Sequence, residues 1–109
     1  MEYKSGFGDE MKEISESDFF AKNEQDAGLF FVSPFCGTCQ LAEQMLNIAI
    51  EAAEPDFPVY KCRVSEWPET VAKLKVKSVP CLAIIKNNSK KLQVYAFESV
   101  TKLYHHLKW

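Results

Sequence analysis

Apolar and polar positions follow two rhythms along this chain, and the order in which the rhythms alternate predicts an α/β domain. Leu29-Phe30-Phe31-Val32 is an uninterrupted apolar run, the pattern of a strand buried on both faces. It follows an Asp26-Ala27-Gly28 turn and a helix that Ser17-Asp18 could cap, with Phe19 and Phe20 turned inward. Farther on, Leu41, Met45, Ile48, Ala49 and Ala52 recur at helical spacing, predicting an amphipathic helix that stops near Glu54-Pro55.

The second half continues the alternation. Residues 59–64 read as a strand, 68–74 as a short helix entered at Pro68, and 81–85 as another strand. Asn87-Asn88 marks a hairpin turn, residues 92–97 supply the returning strand, and Ser99 caps a last helix with Val100, Leu103, Tyr104 and Leu107 on one face. With a short strand at 11–15, the order is βαβαβαββα, which predicts a mostly parallel central sheet covered on both faces and finished by an antiparallel hairpin. Residues 1–10 mix Gly, Ser and charge without periodicity and read as a flexible leader to one domain at 11–109.

Composition narrows the function classes. A chain of 109 residues has room for one core, and a net charge of −2 with interspersed signs offers no basic field for nucleic acid or an anionic membrane. No apolar run approaches the roughly 20 residues that span a bilayer, and the start lacks a secretory apolar core, so the expectation is a cytoplasmic protein. The four cysteines are not needed as staples in a chain this rich in aliphatic and aromatic residues, so resting thiols are expected to be reduced.

The chemistry concentrates at Cys36-Gly37-Thr38-Cys39, placed between the apolar strand and the long helix, and at Val79-Pro80-Cys81 much later. Two cysteines in the first turn of a helix lie close enough to bond, and the free amides and dipole there favour thiolate. Cys36 is then the attacking sulfur and Cys39 the one that resolves the mixed disulfide. A structural zinc site would need a second ligand pair, whereas Cys62 and Cys81 stand singly in predicted strands, so no metal is expected. A C-x-x-C without chemistry is the other reading, since the motif is short. His105 and His106 are adjacent, point about 100° apart on a helix and cannot grip one metal together.

Taken together, the strand, Phe35-Cys36-Gly37-Thr38-Cys39, the long helix and Val79-Pro80 heading a strand that runs to Lys86-Asn87-Asn88 resemble the thioredoxin family over residues 11–109. Lys61, Pro68 and Val76 also fall at family-like places, and glutaredoxins lack the preceding strand–helix unit. The resemblance implies a thioredoxin fold, a mixed five-stranded sheet flanked by four helices, with a cis peptide before Pro80. It implies a thiol–disulfide oxidoreductase of cell redox homeostasis and electron transport in a bacterial cytoplasm, holding no bound cofactor. Disulfide-containing proteins or small-molecule disulfides would be substrates, and electrons would come from an NADPH-linked thioredoxin reductase or a small thiol. Phe35, Gly37, Thr38, Val79, Pro80 and Ala96 would form the substrate groove, with the Val79 backbone pairing the substrate.

Departures from the family pattern set further expectations. Phe35 and Thr38 replace the Trp and Pro of W-C-G-P-C, and the Thr38 hydroxyl and amide could stabilise thiolate. Phe30 occupies the place of the family's buried aspartate, with no other carboxylate at a substitutable position, so proton transfer would rely on water. Lys61 matches that aspartate's partner and would stand as a cation behind the sulfurs, or else extend to solvent. Gln44 replaces a helix-kinking proline, predicting a straighter helix, and Ala96 replaces a glycine, narrowing partner choice. Cys81 reads either as a third redox thiol or as a small core residue, and Cys62 as core. The alternative from another class is an interaction or redox-sensing module with little turnover.

Overall fold

The computed structural model describes residues 11–108 of the chain, so the leader expected at 1–10 lies outside the described residues. Strands β1 (Lys12–Glu13), β2 (Ala27–Val32), β3 (Val59–Arg63), β4 (Cys81–Lys86) and β5 (Ser89–Val94) form one sheet in the order β1-β3-β2-β4-β5. Helices α1 (Glu16–Lys22), α2 (Gly37–Ala53), α3 (Pro68–Leu74) and α4 (Val100–Leu107) alternate with them in the expected βαβαβαββα order.

The sheet is mixed, as the thioredoxin resemblance implies, and more evenly so than the alternation of strands and helices alone predicts. β1 and β2 run parallel to β3, but β4 is antiparallel to β2 as well as to β5. α3 has 7 residues; at ~1.5 Å per residue it is too short to carry the chain back along the sheet, so β4 enters from the opposite end. Asn87 and Asn88 both adopt left-handed backbone, with φ of 54° and 64°, the geometry of a two-residue hairpin turn. β5 accordingly begins at Ser89, three residues before the expected start, and the chain is irregular again from Tyr95.

Because successive strand side chains point to opposite faces, the sheet separates two cores. Phe30, Leu82 and Ile84 meet α2 and α4 through Cys39, Ala42, Leu46, Ala49, Leu103 and Leu107. Leu29, Phe31, Cys62, Cys81 and Ala83 face the opposite way, toward Phe19 of α1 and Trp67, with Val71 and Leu74 of α3 packed alongside. Trp67 is fully buried and its indole N–H donates to the Ile14 carbonyl at 3.0 Å, so the largest core side chain leaves no polar atom unpaired.

Three local expectations are corrected. α1 is capped by Ser15, whose side chain accepts from the Asp18 N–H, and not by Ser17. Phe20 is half exposed, because adjacent helical residues point about 100° apart and only Phe19 can face the sheet. On α2, Leu41 and Ile48 turn outward, and the inward row is Cys39, Ala42, Leu46, Ala49 and Ala53. The alanines in that row let the helix lie close to the sheet, and the buried Cys39 belongs to the same stripe.

Candidate functional site

α2 begins where β2 ends, so the buried apolar strand delivers the cysteine motif to the edge of the sheet. Cys36 is the N-cap of α2: its backbone is extended and its sulfur accepts the Cys39 N–H at 3.1 Å. Helix N-termini leave amides without intrahelical partners, so the sulfur that caps this one sits where negative charge is favoured. Cys36 and Cys39 are joined as a disulfide with their Cα atoms 5.2 Å apart. The two sulfurs are placed unequally, Cys36 half-buried and Cys39 buried one turn deeper in the α2 stripe.

The Thr38 Oγ1 lies 3.2 Å from Cys36 Sγ. A disulfide sulfur carries no proton, so the hydroxyl is the donor, and it is aimed at the same sulfur that the Cys39 amide addresses. Gly37 and Phe35 frame the outer side. A Cβ at Gly37 would meet nothing within 4 Å, and Phe35 is 97% exposed, so the approach to Cys36 is open and bordered by an aromatic face. The Val79–Pro80 peptide is cis, with both residues half-buried immediately before β4, and Val79 packs against both cores. Ala96 is exposed in the irregular segment after β5.

Behind the sulfurs the arrangement departs from expectation. Phe30 is fully buried in the core that also holds Cys39, with its ring 5.7 Å from that of Phe97. Lys61, opposite Phe30 in the β2–β3 register, points to the α2 side, where its Nζ meets the Glu43 carboxylate at 3.0 Å. It is neither a lone cation nor a solvent-extended side chain. Glu43 belongs to no motif, and its only signal in the sequence is that it stands four residues after Cys39 on a helix and so on the same side. Cys36, Cys39, Glu43, Lys61 and Arg63 line one cleft of about 340 Å³ beside the disulfide.

Cys81 is fully buried in the core across the sheet from Cys39. Burial pushes its thiol up to about 11, against a smaller lowering by the Tyr95 hydroxyl. Burial likewise pushes the Cys62 thiol well up. Both are free, and both suit the core reading over a third redox thiol. Among the described residues no group of three or more His, Cys, Asp or Glu is arranged to hold a metal, and no helix is long and apolar enough to cross a membrane.

The comparisons with known proteins agree with this geometry. The thioredoxin family model matches residues 10–108. The thioredoxin-like protein YusE of Bacillus subtilis is 36% identical over 98 residues, covering 90% of this chain and 92% of that protein. A thioredoxin of Staphylococcus aureus is 29% identical over 86 residues, covering 78% of this chain and 83% of its own. Among solved structures, mitochondrial thioredoxin 3 from Saccharomyces cerevisiae in its oxidised form superposes with a TM-score of 0.75 at 20% identity, covering 95% of this chain and 98% of that one. Thioredoxin O2 from Arabidopsis thaliana, also oxidised, gives a TM-score of 0.72 at 21% identity, covering 91% and 92%. With a bonded Cys36–Cys39 pair on this fold, the chain belongs to the thioredoxin family of thiol–disulfide oxidoreductases.

Proposed function

We propose that this protein is a protein-disulfide reductase that works through a mixed disulfide at Cys36. The observation that carries the reading is the unequal placement of the two sulfurs, one capping the helix and half-buried, the other one turn deeper and buried. The Cys36 thiolate attacks one sulfur of a substrate disulfide, forming a Cys36–substrate bond and expelling a thiolate that takes a proton from water. Cys39 then gives up its proton and attacks Cys36, forming the intramolecular disulfide and releasing the second substrate thiol. Counted from the dithiol, whose Cys36 proton passed to water on ionisation, the protein loses the two electrons and two protons that the substrate gains.

In this reading the exposed Phe35, Gly37 and Thr38, together with Val79, Pro80 and Ala96, border the groove that receives an extended substrate segment, with the Val79 backbone pairing it as an added strand would. The chain uses no bound cofactor. Electrons return from an NADPH-linked thioredoxin reductase or a small thiol, in a cytoplasm of bacterial type, where Cys62 and Cys81 stay reduced.

Insulin reduction by the dithiol form tests the reading. Turnover by the wild type and its loss, by at least about 10²-fold, in Cys36→Ser is the expected result. A folded, fully reducible protein without activity would establish the interaction or sensing module instead.

A further inference from the structure

We propose that Glu43, held in place by Lys61, is the group that accepts the Cys39 proton when the mixed disulfide is resolved. This rests on the reductase reading above. Resolution requires a buried thiol to ionise, and burial alone opposes that step. Phe30, beneath the same pair, is apolar and fully buried, so β2 offers no base there. Glu43 is the one carboxylate among the described residues lining the cleft that Cys39 also lines.

Position and orientation both follow from the fold. Residues four apart on a helix share a face, so α2 sets Glu43 one turn beyond Cys39. β3 supplies the clamp, because Lys61 Nζ donates to both carboxylate oxygens, at 3.0 and 3.3 Å. The two side chains are 24% and 26% exposed, wet enough to exchange a proton with the cleft and covered enough to be held. The other charged group facing the cleft is Arg63 of β3, which is engaged by Glu13 of β1 at 2.6 Å; β2 contributes Val32, and α2 adds Cys36 and the neutral Gln40.

In the step proposed, the proton of Cys39 passes to the Glu43 carboxylate, and the electron pair left on sulfur forms the bond to Cys36. The Cys36–substrate bond breaks, and the departing thiolate takes a proton from Glu43 or from water. No external oxidant enters, because the substrate disulfide receives both electrons.

The test uses reduced protein and excess 5,5′-dithiobis(2-nitrobenzoate). Cys36 attack releases one equivalent of nitrothiobenzoate, and Cys39 attack on the mixed disulfide releases a second in a separate phase. In Glu43→Gln the second phase is expected to slow about 10²-fold near pH 6, with the gap narrowing as pH rises and hydroxide takes over as the proton acceptor. Lys61→Met, which removes the clamp and leaves the carboxylate, is expected to give a smaller loss of the same pH form. A loss equal at every pH would show a structural role only, and unchanged second phases in both variants would show that water takes the proton; either overturns the inference. A wild type that releases a single equivalent would instead overturn the reductase reading on which it stands.

Discussion

At Cys62 and Cys81 the same element that reacts in the motif is made inert by its surroundings. The thiol that burial lifts to about 11 at Cys81, and the one lifted further at Cys62, keep their protons in the folded chain while the unfolded chain loses them from about pH 8.5. The unfolded state therefore binds fewer protons, and stability must fall as pH rises. The contribution is complete below the unfolded value and, for Cys81, gone above its folded value of about 11. Urea unfolding of the oxidised protein should show a decline approaching ~1.4 kcal/mol per pH unit for each thiol between those limits. Cys81→Ala should remove roughly half of it, since two thiols share the slope. The Cys36–Cys39 pair was legible from spacing and context, because a strand, a turn and a helix leave the motif one place to stand. Glu43 was not, because its meaning depends on a lysine 18 residues away that only the β3–α2 packing brings to it.

The elements themselves were mostly readable, and the exceptions lie in facing, strand direction and tertiary contact. Uniform patterns such as the buried run of β2, or strong punctuation such as Pro68, Asn87-Asn88 and Ser99, gave type and position together. Facing was harder for α2, where Leu41 and Ile48 are more apolar than the alanines that actually touch the sheet. The direction of β4 was also hidden, since periodicity carries no information about which end a strand enters from. A tertiary cap leaves no trace in the local pattern. Glu16, in the first turn of α1, is buried and accepts from the Thr70 N–H at 2.6 Å and the Thr70 hydroxyl at 2.7 Å, closing the N-terminus of α3. Glu16→Ala leaves those donors unpaired in a buried place, and should cost about 1–3 kcal/mol in chemical denaturation. That corresponds to a melting point lower by roughly 4–8 °C per kcal/mol in a domain of this size. Glu16→Gln, which still accepts, should lose less.

Across the whole molecule, the sheet is a partition with different duties on its two sides. The α2–α4 side carries Cys39, the Lys61–Glu43 pair and the cleft, while the α1–α3 side is closed by Trp67, Phe31 and Phe19. Four cysteines could form six different pairs, and the partition removes four of them, because Cys62 and Cys81 are sealed on the side away from Cys36 and Cys39; of the two left, only Cys36–Cys39 is bonded. The free thiols thereby become internal witnesses to opening. A chain that breathes only around its cleft never presents them, and a chain that loses the partition presents both at once. The rate at which they disappear into an alkylating reagent, with the Cys36–Cys39 bond intact, is a direct reading of how often the two halves of the core come apart.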